Sequence, residues 1–154
     1  MLSLSRTVAA VAAIAALAFS GVAAAQNING TPSYGNFQLN AGFMPDPQYA
    51  DVLSGGRTDA SRISGCRGFI ATNPDVRVFY NSGSYPLTIW AESSGDTTLV
   101  INAPDGNWYC DDDSGGNLNP AIRFGRPMSG RYEIWVGTFG STSNLQSRVW
   151  ISER

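Results

Sequence analysis

The sequence predicts an all-β protein with two packed sheets of about seven to eight antiparallel strands. Short runs of residues alternate between apolar and polar with period two, and Gly, Pro, Asn and Ser separate these runs. No segment keeps the apolar spacing of an amphipathic helix over three turns. Two cysteines, Cys66 and Cys110, are available for a disulfide.

The first 25 residues have the pattern of a secretory signal peptide. Arg6 supplies a positive start, residues 8–19 form an apolar stretch, and residues 23–25 are the small residues of a cleavage site. We therefore expect a mature chain that begins at Gln26, no integral membrane segment after cleavage, and a periplasmic or secreted location. A retained membrane anchor is the alternative, although the apolar stretch is short for a span.

The rest of the chain is expected to form a flexible leader over residues 26–36 and one domain over residues 37–154. The leader is rich in Gly, Asn, Ser and Pro. A domain of this size can bury about two-thirds of its surface. In an oxidising compartment Cys66 and Cys110 are expected to form a disulfide, and two buried free thiols are the alternative.

The predicted elements follow in chain order. Residues 37–39 are expected as an edge strand, and residues 49–53 as one helical turn at most. The alternating or apolar runs that predict further strands are residues 66–70, 76–80, 87–92, 97–103, 122–124, 132–138 and 145–151. At this spacing, two packed sheets are the most economical arrangement.

A hairpin is expected around Asp105 and Gly106, which form a strong turn signal. In the expected register Pro104 faces Asn107. Residues that oppose one another in a hairpin point to the same side of the sheet. This register directs one set of side chains into the core: Leu99, Ile101, Trp108 and Cys110.

Residues 111–120, here called the acidic loop, follow the hairpin, and the predicted register places Asp96 beside them. Carboxylates this close repel one another unless a cation neutralises them or they point into water. Calcium prefers about six to eight oxygen ligands at flexible geometry. We therefore expect calcium at this loop, and a solvated acidic turn is the alternative. The candidate ligands are Asp96, Asp111, Asp112, Asp113, Asn117 and Asn119.

The composition excludes several kinds of chemistry. The chain contains no His and no Lys, and its ten basic residues are all Arg. Histidine-activated nucleophiles, histidine metal ligands and lysine Schiff bases are therefore excluded, and zinc and copper are poor candidates. A formal net charge of −2 with scattered Arg gives no basic stripe, so nucleic acid is not an expected partner.

Four motifs occur in order between residues 75 and 139: an Asp before a strand, a Pro-x-Gly turn, an acidic loop with two Gly, and a Ser-Gly-x-Tyr strand. They are Asp96, residues 104–106, residues 112–116 and residues 129–132. This order resembles the bacterial pre-peptidase C-terminal domain.

The resemblance implies a jelly-roll-like β-sandwich, calcium ligands at Asp96, Asp112 and Asp113, and a role in secretion, substrate binding or adhesion. It also implies that Cys66 and Cys110 pair, as in small stand-alone exported proteins of this type. The sequence departs from the family in three respects. No peptidase domain is attached, the residues before about position 70 match loosely, and Arg77 stands where an acidic residue is common.

Three tryptophans are expected on strand faces opposite the apolar alternation: Trp90, Trp135 and Trp150. Aromatic rings on a sheet face can form a platform for a sugar or a protein. The alternative is that they pack beneath residues 37–47.

The sequence gives little support for catalysis. Glu92, Asp96 and Glu133 are the carboxylates in or beside core strands, and Glu133 is expected on an exterior face as the cross-strand partner of an Arg. No feature builds the cleft that a carboxylate-dependent hydrolase needs. We expect a non-catalytic calcium-binding module for an unknown protein or glycan partner. The alternatives are a structural or secretion-accessory envelope protein without functional metal, and a carboxylate-dependent hydrolase.

Overall fold

The computed structural model describes residues 26–154 of the chain. Over this range the chain forms two packed β-sheets, one short 3₁₀ helix and no α-helix. The all-β sandwich predicted from the alternating runs is therefore confirmed. The signal peptide predicted for residues 1–25 lies outside the described range. None of the described residues forms a helix with the length and apolarity needed to cross a bilayer.

Residues 26–154 contain eleven strands, more than the predicted number of about seven to eight. Residues 49–53, expected as a helical turn, belong to a strand in which Ala50 and Val52 are buried. The 3₁₀ helix is Ala60–Arg62. The strands are β1 (Asn36–Asn40), β2 (Gln48–Leu53), β3 (Thr58–Asp59), β4 (Phe69–Ile70), β5 (Val76–Asn81), β6 (Leu87–Ser93), β7 (Thr97–Asn102), β8 (Trp108–Asp111), β9 (Ala121–Phe124), β10 (Gly130–Thr138) and β11 (Gln146–Ser152).

Strand β10 is central to the larger sheet. It pairs with β7 along one edge, and with β5 and then β4 along the other. Strands β8, β1 and β3 extend this sheet beyond β7, β5 and β4. The β1–β5 pair is parallel, which corrects the expectation of antiparallel strands throughout. A parallel pair needs a long connection, and the segment that carries β2, β3 and β4 provides it.

The smaller sheet is antiparallel, with the order β2-β11-β6-β9 in the described part of the chain. The inner faces of both sheets form the main core. Burying each large aliphatic side chain contributes about 1.5–3 kcal/mol. The fully or almost fully buried members include Val52, Val78, Leu87, Ile89, Leu99, Ile101, Tyr132, Ile134, Val149 and Ile151.

A second, smaller core lies on the outer face of the larger sheet. Trp135 is fully buried there and packs with Val100 and Ile70. Trp135 does face away from the main core, but the segment from β3 to β4 covers it. The expectation that Trp135 shares a binding face with Trp90 and Trp150 is therefore wrong.

The β7–β8 hairpin differs from the predicted register by one residue. Gly106 N donates to Ala103 O at 2.9 Å, and Gly106 has a positive φ of 78°. These features belong to a three-residue loop, whereas the prediction assumed a two-residue turn. As a result Cys110 faces Val100, not Ile101. A shift of one residue moves every side chain to the other face of the sheet.

Cys110 and Trp108 consequently join the outer core and not the main core. Cys110 forms a disulfide with Cys66, with their Cα atoms 5.1 Å apart. The predicted disulfide is therefore confirmed. It links β8 to the segment that covers Trp135.

Residues 26–35, expected as part of a flexible leader, are hydrogen-bonded to the larger sheet. Tyr34 N donates to Asp75 O at 2.8 Å. Arg77 Nη2 donates to Gly30 O, also at 2.8 Å. These residues are therefore an integral part of the domain, and the predicted boundary between leader and domain does not correspond to a structural division.

The same N-terminal segment lies over an ion pair between β5 and β10. Arg77 Nε lies 2.6 Å from Glu133 Oε1, and Arg131 Nε lies 3.0 Å from the same oxygen. Glu133 is thus the cross-strand partner of an Arg on the outer face of the larger sheet, as predicted, but it is fully buried there because the N-terminal segment covers it. Burial raises the pKa of Glu133, and the hydrogen bond from Arg77 opposes this shift.

Asp75 lies beside β10, between the part of this strand that pairs with β5 and the part that pairs with β4. Its carboxylate accepts a hydrogen bond of 2.7 Å from Val136 N, and Gly55 N donates to Val136 O at 2.8 Å. The backbone of Val136 is therefore satisfied at a position where no strand pairs with this edge in the described range. Burial raises the pKa of Asp75 to about 7, although the hydrogen bond from Val136 N opposes the shift.

Stability is expected to fall as the pH rises through about 7, the pKa of Asp75 in the folded protein. A carboxyl with a raised folded-state pKa gives stability that is complete below its unfolded-state pKa and is lost as the pH rises through the folded-state value. The loss between about pH 6 and pH 8 should be about 1 kcal/mol. Urea unfolding followed by tryptophan fluorescence measures it. Asp75→Asn retains an acceptor for Val136 N and should remove this loss; an unchanged slope in that variant would contradict the assignment.

Candidate metal centre

The candidate metal centre lies where the β6–β7 turn meets the acidic loop. Asp96 directly precedes β7, and Asp112 and Asp113 directly follow β8. Strands β7 and β8 are antiparallel, with Leu99 opposite Asp111. The start of β7 and the end of β8 therefore lie at the same end of the hairpin, and this holds in the observed register as it did in the predicted one.

Three carboxylates meet at this point. Asp96, Asp112 and Asp113 each contribute one oxygen to a set in which all oxygens lie within 4.8 Å of one another. We call these residues the aspartate cluster. Asp96 Oδ1 and Asp112 Oδ1 are shielded from solvent but find no hydrogen-bond donor among residues 26–154. A buried acceptor without a partner costs about 1–3 kcal/mol, so these two oxygens lack a compensating donor.

The pKa values of the cluster reflect this environment. Burial, followed by the charge of Asp113, raises the pKa of Asp96. Burial, followed by the charges of Asp113 and Asp96, raises the pKa of Asp112, and Arg67 opposes that shift. Arg67 Nη1 lies 3.8 Å from Asp112 Oδ2, but the Arg67 side chain is 68 % exposed, so solvent screens its charge. A bound cation would favour the ionised form of each carboxyl.

Neutral hydrogen bonds hold the acidic loop against the β6–β7 turn. Asn119 Oδ1 accepts from Ser93 N at 2.9 Å and from Thr97 Oγ1 at 3.2 Å. Leu118 O accepts from Thr97 N at 3.1 Å. These contacts involve no carboxylate, so the loop is held beside Asp96 by hydrogen bonds between uncharged groups.

The tip of the acidic loop has a left-handed backbone. Asn117 and Leu118 have φ values of 55° and 59°, and Gly116 pairs with Asn119 on either side of them. A turn with positive φ at both central residues has this form, and a bulky residue such as Leu118 is uncommon there. Gly115 is also constrained, since a Cβ at that position would lie 2.8 Å from Asn119 O.

Asp111, a predicted ligand, closes the base of the acidic loop. Its carboxylate accepts hydrogen bonds from Ser114 N at 2.9 Å, Ser114 Oγ at 2.6 Å and Ala121 N at 2.9 Å. In the sequence Asp111 alternates with Asp113, a spacing that is typical of calcium-binding loops. In the structure it is the consecutive residues Asp112 and Asp113 that join the cluster.

The two predicted amide ligands occupy different positions. Asn119 Oδ1 is bound to the β6–β7 turn, as described above, and Asn119 Nδ2 donates to Asn117 O at 3.2 Å. Asn117 is exposed at the loop tip. Of the predicted ligands, the structure therefore brings together Asp96, Asp112 and Asp113.

The donor set suits a hard cation. Carboxylate oxygens are the preferred ligands of calcium and magnesium. The chain has no His, and its two Cys residues form the disulfide. The nitrogen and thiolate ligands that favour zinc or copper are therefore missing from this chain.

Two of the predicted aromatic residues do lie together on the outer face of the smaller sheet. The ring centroids of Trp90 and Trp150 are 5.8 Å apart, and their planes differ by 13°. Tyr49 extends this group, with its ring centroid 5.2 Å from that of Trp150. The sequence interpretation missed Tyr49 because it assigned a helical turn, although the alternation of Tyr49 with Ala50 and Val52 was the available signal.

No protein-family model matches this chain, and no curated protein matches it either. The resemblance to the pre-peptidase C-terminal domain is therefore a resemblance of motifs, and the geometry of the aspartate cluster is what supports a metal centre.

Two neighbouring aspartates are expected to respond in opposite ways when they are neutralised in calcium-free protein. Asp112→Asn removes repulsion within the cluster and should raise the free energy of unfolding at neutral pH by up to about 1 kcal/mol. Asp111→Asn weakens the hydrogen bonds at the loop base and should lower it by about 1 kcal/mol. Urea unfolding in the presence of a chelator measures both. Equal destabilisation by the two substitutions would show that the cluster carries no net repulsion.

Proposed function

We propose that this protein is an exported, non-catalytic β-sandwich module that binds calcium through Asp96, Asp112 and Asp113 and engages a glycan or protein partner at the cell envelope or outside the cell. The metal assignment rests on one observation. Three carboxylates lie within 4.8 Å, and two of their shielded oxygens have no donor among the described residues. A divalent cation would supply both the missing charge and the missing contacts.

Calcium suits the cluster better than magnesium. Magnesium requires near-octahedral geometry and loses its water reluctantly, whereas calcium accepts irregular sets of carboxylates, backbone carbonyls and water. Asp112 and Asp113 are consecutive in an irregular loop, and Asp96 comes from a separate turn. Such an arrangement favours the more adaptable ion. Extracellular calcium modules have Kd values of about 0.1–1 mM, a range that fits a partly exposed site.

Two further carboxylates that the sequence analysis singled out, Glu92 and Glu133, support a non-catalytic role. Glu133 is buried against Arg77. Both oxygens of Glu92 accept indole N–H hydrogen bonds, from Trp90 and from Trp150. A carboxylate-dependent hydrolase needs two carboxyls across a cleft, one of which transfers a proton to the substrate. Glu133 and Glu92 are instead each held by fixed donors.

A structural envelope protein without a functional metal is the second candidate, and Arg67 is the observation that favours it. Arg67 lies 3.8 Å from Asp112 and places a positive charge beside the cluster. One exposed guanidinium offsets only part of the charge of three carboxylates. The response to calcium therefore separates the two candidates.

Export agrees with the disulfide. Disulfides persist in oxidising compartments such as the periplasm and the extracellular space, and the Cys66–Cys110 disulfide connects two elements of the fold. The signal-peptide pattern of residues 1–25 accounts for how the protein would be exported. We therefore assign the protein to the periplasm or to the medium.

Millimolar calcium is expected to raise the thermal midpoint of the protein, and excess chelator to reverse the shift. A ligand that binds only the folded state stabilises it by about 1.4 kcal/mol at ten times its Kd and by about 2.7 kcal/mol at a hundred times. Differential scanning calorimetry with and without calcium measures the shift. Combining Asp96→Asn with Asp113→Asn should abolish it.

Asp105→Asn is the matched control for this experiment. Asp105 lies at the opposite end of the same hairpin, where its carboxylate accepts hydrogen bonds from Asn107 N and Tyr109 Oη. This variant should melt at a lower temperature but keep the whole calcium shift. No shift in the unmodified protein, or a shift that persists in the Asp96→Asn, Asp113→Asn variant, would reject the cluster as the calcium site.

Export should leave a defined product. Protein recovered from the periplasm or medium of a bacterial host is expected to begin at Gln26 by intact mass spectrometry. Cys66 and Cys110 should resist alkylation until a reductant is added, because the disulfide joins them. Recovered protein that still contains residues 1–25 would contradict cleavage at this site.

A further inference from the structure

The outer face of the smaller sheet carries a row of aromatic rings. Tyr49, Trp150 and Trp90 face one another across β2, β11 and β6, so their side chains point to the same side of the sheet. We call these three residues the aromatic row. Tyr49 is 50 % exposed, and the two indoles are half-buried. The rings are therefore held in place yet remain accessible from solvent.

The next outward position on the same strands carries charged side chains. Asp51, Arg148 and Glu92 face one another there, and we call them the charged row. Arg148 Nε donates to Asp51 Oδ1 at 2.7 Å, and its guanidinium carbon lies 4.3 Å from the centroid of the Tyr49 ring. Stacking and the ion pair together fix the orientation of Arg148.

Glu92 connects the two rows. Its Oε1 accepts from Trp90 Nε1 at 3.1 Å, and its Oε2 accepts from Trp150 Nε1 at 2.9 Å. Each carboxylate oxygen has lone pairs for a further hydrogen bond, and Glu92 is exposed. A ligand hydroxyl can therefore reach an acceptor that is already ordered, which lowers the entropic cost of binding.

A shallow depression of about 380 Å³ lies beside the rows. All of its lining residues have polar side chains, and they provide hydroxyl, amide, carboxylate and guanidinium groups. A stable protein interface buries about 800 Å² on each side around an apolar centre, whereas this surface offers one row of rings and a small polar depression. The lining residues are Asp51, Glu92, Ser93, Gln146, Ser147 and Arg148.

We propose that the aromatic row and this depression bind a neutral glycan chain. The C–H groups on one face of a sugar ring are complementary to the negative π-face of an aromatic ring. Sugar hydroxyls both donate and accept, and they match the mixed acceptors and donors of Glu92, Gln146 and Arg148. The two carboxylates of the charged row disfavour an anionic glycan. This inference rests on the proposed function, for which it names the partner class, but it does not require the metal.

Glycan binding by the purified protein tests the inference. An array of neutral oligosaccharides derived from glucans, mannans and galactans identifies the ligand, with heparan sulfate and polygalacturonate fragments as the anionic comparison. Isothermal titration calorimetry with the best neutral oligosaccharide then gives the Kd. We expect at least one neutral series to bind, and we expect Tyr49→Ala and Trp90→Ala each to weaken its binding about tenfold.

Tyr85→Ala is the matched control, because Tyr85 is a tyrosine of similar exposure, 54 %, that belongs neither to the aromatic row nor to the lining of the depression. It should leave the Kd unchanged, and the melting midpoint of each variant verifies that it folds. Absence of binding to every neutral series, preference for the anionic fragments, or an equal loss in Tyr85→Ala would overturn the inference. If calcium raises the thermal midpoint but no glycan binds, the result counts against the glycan site alone. If a glycan binds but calcium leaves the thermal midpoint unchanged, the result counts against the metal centre alone.

Discussion

The turn at residues 104–106 fixes the register of the β7–β8 hairpin, and both the disulfide and the aspartate cluster depend on that register. The positive φ of Gly106 completes a three-residue loop. With this register Cys110 points away from the main core and reaches Cys66 on the segment that covers the outer face. The same register ends β8 at Asp111, so the next two residues of the chain enter the aspartate cluster. One short turn therefore determines both features.

In the acidic loop, repulsion between carboxylates opposes a small number of hydrogen bonds between uncharged groups. Two unit charges 4.8 Å apart, the spacing within which the cluster lies, repel by about 1 kcal/mol in water and about 3 kcal/mol at an effective dielectric constant of 20. Each hydrogen bond from Ser93 or Thr97 to the loop contributes about 0.5–1.5 kcal/mol. The opposing terms are of similar size. Without a cation the loop is therefore only marginally held in place, and a cation would change the balance decisively.

The sequence was sufficient to predict the sheets and the approach of Asp96 to the acidic loop, because period-two alternation and an Asp-Gly turn are local signals. A register error of one residue does not move Asp96 away from the loop, so that prediction was robust. Asp111 was included among the candidate ligands because it alternates with Asp113, and this local pattern does not show that its carboxylate closes the base of the loop. Burial of Trp135 depends on a covering segment whose two strands, β3 and β4, are too short to show any period. Contacts made by such segments are not encoded in a local pattern.

The candidate metal centre and the proposed glycan surface are connected through Ser93. Ser93 lines the depression, its backbone N–H donates to Asn119 of the acidic loop, and its hydroxyl donates to Gln146 O at 2.9 Å. No member of the aspartate cluster is among the lining residues that the described chain contributes to the depression. A cation in the cluster would therefore not touch the glycan. By relieving the repulsion that opposes these contacts, it would stabilise the contact of Asn119 with Ser93 and so the rim of the proposed glycan surface. Coupling of this kind would be reciprocal, because any factor by which calcium raised the glycan affinity would equally be the factor by which the glycan raised the calcium affinity.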